Sequence, residues 1–302
     1  MGKIAILSHI VIDEIHEPGV AQSHVAVGGA GAYAAVGASL VRPQGDSAIV
    51  SGVGDRDHEF LASWCEDRGI DPRGLFVVSD SSPRTRIEYF ADGERVETPV
   101  FGLEHFDAHT PLPMHIPFAP ADLSGVYLFH DHGSEYWQHV AELRPKLSVP
   151  LMWEISAASC SPESREIVLE RAAAVDIFSV NRTEALGLFG ATSTREALAS
   201  LRSMSGIILL RLGPEGAIVL EHGRTLHVGT DAVDVVDPTG GGNSFSGAFL
   251  AAYASSGNVV QSAQAASAAA AAVIAAPGAP VVDDERRLRV VAAARSISVT
   301  TE

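Results

Sequence analysis

The feature that most constrains this chain is the regular alternation of strand-like and helix-like segments from Val126 onward. Short apolar runs at 126–129, 151–153, 176–180 and 206–211 are separated by stretches that carry helix-start signals. Ser161-Pro162-Glu163 is one: the serine oxygen can accept a first-turn N–H, and proline loses nothing at a position whose N–H has no partner. Ser193 with Glu196 three residues on has the spacing of a capping box. Strands separated by helices pair in parallel, with the crossing helices covering both faces of the sheet, so each strand is apolar throughout. Ile4-Ala-Ile-Leu7 and Ala48-Ile-Val50 have the same character near the start of the chain. The expected fold is α/β, a doubly wound, mostly parallel sheet flanked by helices, which binds ligands at the carboxyl ends of its strands.

At 302 residues and 46% hydrophobic, the chain can form such a core as one domain, residues 1–302. A net charge of −16 with no basic run argues against nucleic acid or an anionic membrane as a partner and leaves a small-molecule substrate. The two cysteines, Cys65 and Cys160, make no CxxC and no disulfide framework, which fits reduced thiols in a cytoplasmic protein. Met1-Gly-Lys-Ile-Ala-Ile-Leu-Ser reads as a first strand and not as a signal peptide. The Ala-rich stretch 263–276 contains Ser267, is followed by Pro277, and reads as a buried helix, not a membrane span.

Asp237-Pro-Thr-Gly-Gly-Gly-Asn-Ser-Phe245 lies between a strand-like run, Val233-Asp-Val-Val236, and a helix-like run from Ser244 to Tyr253. Glycines at a strand-to-helix junction permit a sharp turn, and the first helical turn presents unpaired N–H groups at the positive end of the dipole. Together they make an anion site suited to phosphate.

Taken with its neighbours, this stretch resembles the C-terminal signature of the ribokinase-like (PfkB) carbohydrate kinases, Asp-x-Thr-Gly-x-Gly-Asp, with Asn243 in place of the last Asp. In that family the loop cradles the transferred phosphate and the last Asp takes the proton from the substrate hydroxyl. Gly28-Gly29 before the helix-like run 30–40 matches the family's N-terminal glycine pair, with Tyr33 about where an Asn is usual. Asn181-x-x-Glu184 matches its metal- and phosphate-linked Asn-x-x-Glu motif, and Arg211-Leu-Gly213-Pro-Glu-Gly216 its turn near the nucleotide. Pro277-Gly278-Ala279 matches the loop near adenine.

The resemblance implies an ATP-dependent phosphotransferase acting on a hydroxyl of a small sugar, nucleoside or related alcohol. Gly240, Gly241 and Gly242 would form the anion hole, and Asn243 and Asp237 are the further catalytic candidates. Asn181, Glu184, Arg211, Gly213, Gly216, Thr239 and Gly278 would serve the nucleotide, with Asn181 and Glu184 reaching Mg²⁺ through water. Asp13, Gly28, Gly29, Tyr33, His130 and Glu154 would face the substrate. The resemblance also implies a small β lid from segments near 10–26 and 75–100, through which a homodimer could form. Asp92-Gly93 reads as a hairpin within that lid.

Several residues carry second readings. An amide cannot take a proton at neutral pH, so a catalytically weak nucleotide- or sugar-binding protein is one alternative. His130-Asp131-His132 ends a strand and puts two imidazoles on one face, which opens a metal-dependent hydrolase as another. Asn181 can be a plain helix cap, Glu154 a solvated loop acid and Asp57 an acidic N-cap. Gly29-Ala-Gly31-Ala-Tyr-Ala34 also fits a loose dinucleotide fingerprint, but residues 8–24 separate it from the first strong strand and no ribose-binding acid is placed.

Overall fold

The computed structural model describes residues 2–16, 19–20, 22–90 and 95–302. The strands are β1 Lys3–Leu7, β2 Val11–His16, β3 His24–Gly28, β4 Ser47–Gly54, β5 Ile70–Ser79, β6 Arg84–Tyr89, β7 Arg95–Pro99, β8 Leu123–His130, β9 Leu151–Ile155, β10 Ile177–Asn181, β11 Ile207–Arg211, β12 Ala217–Glu221, β13 Arg224–Val228 and β14 Val299–Thr301. The α-helices are α1 Ala30–Val41, α2 His58–Glu66, α3 Leu103–Ala108, α4 Ser134–Leu143, α5 Arg165–Ala172, α6 Arg182–Phe189, α7 Thr194–Leu201, α8 Gly241–Ser256, α9 Val259–Ile274 and α10 Asp284–Ala294.

Among the described residues, ten strands form one sheet in the order β14-β13-β12-β11-β10-β9-β8-β1-β4-β5. From β11 through β5 every neighbouring pair is parallel, and β12, β13 and β14 add antiparallel strands at one edge. The chain runs from β1 to β4 and β5 on one side, then to β8, β9, β10 and β11 on the other. The β1–β8 pair is therefore the switch point where an open α/β sheet leaves a crevice.

The two-residue period of β1 explains the layering. Ile4 and Ile6 pack into the core shared with α1, α8 and α9, while Ala5 and Leu7 face the core shared with α4, α5 and α6. Helices α1 and α8 touch through backbone: a β-carbon at Gly247 would lie 2.0 Å from the Ala34 carbonyl oxygen, and one at Gly37 would lie 2.1 Å from that of Ser244. This contact fixes the start of α8 against α1.

A separate sheet of order β3-β2-β6-β7 forms the lid. The expected lid segments are corrected in one respect: Leu75–Val78 belongs to β5 at the edge of the main sheet, where it pairs with β4. Strands β6 and β7 are antiparallel, and the hairpin read at Asp92-Gly93 lies outside the described residues. Three other local readings differ. The run Val233–Val236 is irregular, not a strand, and Val235 and Val236 are exposed. Asp57 does not cap α2 with its side chain; its carboxylate accepts from the Ser82 N–H at 2.7 Å and from Arg84 at 2.8 Å, tying the entry of β6 to the body. At α7, Ser193 caps Glu196, but the Glu196 carboxylate accepts from Thr192 instead of closing the box.

Candidate active site

The turn 237–240 is built by side chain and backbone together. The Asp237 carboxylate accepts from the Thr239 N–H at 2.9 Å and from the Gly278 N–H at 3.2 Å, so it shapes the turn and ties it to the 277–278 loop. Each oxygen thus accepts one amide, which fixes the carboxylate in the turn, at the wall of the cavity described next. Gly240 caps α8 with φ of 76°, a left-handed conformation that disfavours any side chain. A β-carbon there would also fall 2.0 Å from the Tyr33 ring. The helix begins at Gly241, whose N–H donates back to the Pro238 carbonyl at 3.3 Å, so the first-turn amides left to meet an anion are those of Gly242 and Asn243.

Two cavities meet at this turn. One, of about 530 Å³, is lined on the lid side by Asp13, His24, Thr85, Ile87 and Glu97, and on the body side by Gly29, Tyr33, Asp237, Thr239, Gly240, Asn243 and Gly278. The other, of about 570 Å³, is lined by Arg211, Gly213, Gly216, Val235, Pro238, Gly241, Gly242, Phe245, Ala270 and Ile274. Strand register explains the first. Asp13 pairs with Ala26 and Thr85, Ile15 with Ile87, and Ile87 with Glu97, so one face of the lid sheet looks into the cavity.

Behind the turn lies a buried polar network at the carboxyl ends of β8, β9, β10 and β11. The Glu154 carboxylate, 1% exposed, accepts from Asn243 Nδ2 at 2.8 Å and from Tyr127 Oη at 2.8 Å, and Arg211 Nη1 lies 2.9 Å away. Glu154 is therefore neither a solvated acid nor a substrate contact; it supports Asn243 from behind. Burial, with Glu154 beside it, drives the Tyr127 phenol well above its ordinary range, so Tyr127 remains a donor. Arg211 also lies 3.5 Å from Glu184, and a β-carbon at Gly242 would be 2.3 Å from its Nη1. The guanidinium therefore lies directly beneath the glycine turn.

Asn181 and Glu184 form a complete capping box on α6: Asn181 Oδ1 accepts from the Glu184 N–H at 2.9 Å, and Glu184 Oε2 accepts from the Asn181 N–H at 2.7 Å. Burial raises the Glu184 carboxyl above its usual range, opposed by Arg211. With Asn181 Oδ1 committed to the cap and Arg211 beside the carboxylate, direct metal ligation by this pair does not fit.

The other sequence candidates are distributed unevenly. Thr239 and Gly278, expected at the nucleotide, line the lid-side cavity instead. Gly28 stands beside Asp13, where a β-carbon would lie 2.1 Å from a carboxylate oxygen, so it makes room for Asp13. His130 lines neither cavity; its ring stacks on Tyr136 at 3.7 Å and its Nδ1 lies 3.0 Å from Asp131. His132 turns to Ser159, and among the described residues no three His, Cys, Asp or Glu side chains gather as a metal site. The hydrolase alternative is not supported. Sequence reading missed His24, Thr85 and Glu97; alternation within the lid strands could have put them on one face, but not against residue 243.

This architecture recurs in solved structures. A probable sugar kinase from Rhizobium etli CFN 42 superposes with a TM-score of 0.77 at 17% identity, covering 97% of this chain and 98% of that one. The aminoimidazole riboside kinase from Salmonella enterica, solved with aminoimidazole riboside and an ATP analogue, gives 0.74 at 20% identity, covering 95% and 99%. The fold is thus ribokinase-like. Residues 2–284 match the pfkB family carbohydrate kinase pattern, and the chain belongs to that family. In sequence it is 26% identical over 259 residues to the aminoimidazole riboside kinase of Salmonella typhimurium, covering 83% of this chain and 80% of that protein. It is 22% identical over 273 residues to the cytidine kinase of Thermococcus kodakarensis, covering 84% and 89%.

Proposed function

We propose that this protein moves the γ-phosphoryl group of ATP to a hydroxyl of a small sugar or nucleoside. The observation that carries this reading is the pair of cavities meeting at the N-terminal turn of α8. A two-substrate transfer needs donor and acceptor on opposite sides of one anion-binding point. The nucleotide occupies the cavity walled by Val235, Phe245, Ala270 and Ile274, and its terminal phosphate meets the first-turn amides and Arg211. The acceptor lies under the lid.

The acceptor oxygen bonds to the γ-phosphorus as the bond to the β,γ-bridging oxygen breaks. ADP leaves with that electron pair, and the hydroxyl proton is released to solvent. The fixed dipole and the guanidinium stabilise charge on the transferring group. Mg²⁺, carried by the nucleotide's phosphates with Glu184 reaching its water shell, would supply further charge neutralisation. The lid excludes water that would otherwise hydrolyse ATP.

The acceptor cavity is lined by Asp13, Glu97 and Asp237, and its described lining holds no Lys or Arg. These carboxylates suit an acceptor that presents neutral hydroxyls as hydrogen-bond donors. The relatives named for riboside and cytidine substrates point the same way. On the opposite face of the lid, Val25 and Val96 are about half exposed, and a homodimer would form there.

The test is ADP release across a panel of ribosides, hexoses, polyols and their phosphorylated or carboxylated counterparts. Turnover on a neutral riboside or sugar is expected. ATP binding without turnover on any panel member would overturn the proposal and leave a binding role.

A further inference from the structure

The contact between Asn243 and Glu154 bears on the chemistry in a way that neither residue reveals alone. A carboxylate paired with the Arg211 guanidinium at 2.9 Å can only accept hydrogen bonds. An oxygen of residue 243 placed 2.8 Å from it would set two electron-rich atoms against each other, so the amide nitrogen must face Glu154. That leaves Oδ1 as the polar atom Asn243 can turn to the acceptor cavity it lines. The three donors around Glu154, from Asn243, Tyr127 and Arg211, come from α8, β8 and β11. The carboxylate is held on three sides and has little freedom to rotate away.

We propose that Glu154 is a positioning residue that locks Asn243 with its carbonyl oxygen toward the acceptor hydroxyl, and that Glu154 and Asn243 act as one carboxylate–amide unit. The unit orients the hydroxyl by accepting its hydrogen bond while carrying its negative charge one layer behind the cavity wall. A carboxylate at 243 does not improve this site: it would stand against Glu154 in a buried setting, where two carboxylates share one proton. The pair tolerates a carboxylate at either position but not at both. The inference rests on the proposed phosphoryl transfer for its catalytic consequence, whereas the coupling between the two side chains does not.

The experiment is a double-mutant cycle of wild type, Glu154→Gln, Asn243→Asp and the double variant, read by kcat, acceptor KM, thermal midpoint and the pH dependence of each. Asn243→Asp alone is expected to lower kcat at least tenfold at neutral pH and to add an ionisation to the kcat profile that wild type lacks. Its shared proton raises the folded-state carboxyl pKa, so the stability of this variant should rise as pH falls through that value, unlike wild type. In the double variant the amide introduced at position 154 can donate to the carboxylate introduced at position 243. There kcat is expected to return to within about threefold of wild type and the added ionisation to disappear.

Strictly additive effects, or an Asn243→Asp variant as active and as stable as wild type with an unchanged pH profile, would overturn the proposal. If no acceptor supports turnover, the proposed function fails by itself. The cycle then reads the pair through thermal midpoint and its pH dependence, where additivity again refutes it.

Discussion

The two cavities on either side of the glycine turn are specified in different ways. The side proposed for the nucleotide is formed mostly by backbone and apolar side chains, among them Gly213, Gly216, Gly241, Gly242, Ala270 and Ile274, with Arg211 and Asp231 as its charged residues. The acceptor side is formed by polar side chains from β2, β3, β6, β7 and α1 together with the turn itself. One site is a backbone shape that a short stretch of sequence can encode. The other is an assembly of side chains that only the tertiary fold brings together. A difference of this kind predicts that nucleotide binding and acceptor choice can be altered independently, except at the turn both sides share.

Gly240 lines the acceptor side and leads directly into Gly241 and Gly242 of the other, and Gly240→Ala should have the largest effect. The left-handed backbone costs about 1–2 kcal/mol for a residue with a side chain, and the Tyr33 ring blocks the new methyl. We expect a fall in thermal midpoint and a loss of roughly 10²–10³ in kcat/KM for both substrates, the scale for misplacing a preorganised anion site. Steady-state kinetics with each substrate varied in turn, beside thermal unfolding, checks this.

Gly242→Ala should separate the sides. Its methyl would meet Arg211 Nη1, the end of a side chain that can shift only by loosening its contacts to Glu154 and Glu184. A loss of roughly 10–100-fold in kcat/KM for nucleotide, with a smaller change in acceptor binding by calorimetry, passed on through Glu154 and Asn243, is the expected result. Glu97→Lys is the converse. It should raise KM for a neutral acceptor about five- to tenfold through loss of a charge-assisted contact and leave nucleotide binding intact. If Glu97→Lys shifted the nucleotide KM as strongly, the proposed division would be wrong.

The smallest effect is with pH. His9 underlies the acceptor side: its carbonyl accepts from the Gly31 N–H, and its ring nitrogen bonds the Phe106 carbonyl at 3.0 Å. Burial pulls its pKa down to about 4 from an ordinary 6.5. Between those values the unfolded chain binds a proton that folded His9 refuses, so stability falls as pH drops from 6.5 toward 4 and is flat above. Burial lowers His109 and His130 as well, so they steepen the same slope. A shallower decline of thermal midpoint in His9→Asn across that window checks the assignment.

The same division explains what could be read from sequence. The parallel sheet was legible because each strand carries its own apolar run, and the glycine turn because its glycines are contiguous. Asn181 and Glu184 were legible for a similar reason, being three residues apart on one helix start. Glu154 lies 89 residues from Asn243, and no local pattern sets one against the other. His24 and Glu97 are lid residues whose meaning depends on how that sheet sits over the turn. Val233–Val236 misled because β-branched residues favour strands, whereas here Val235 lines the cavity proposed for the nucleotide from an irregular segment.

A crystal structure with a non-hydrolysable ATP analogue tests the central claim most directly. We predict its terminal phosphate at the first-turn amides of Gly242 and Asn243 beside Arg211, and its nucleoside against Val235, Ala270 and Ile274. A nucleotide seated under the lid against Asp13 and Glu97, or bound away from this turn altogether, would contradict the account.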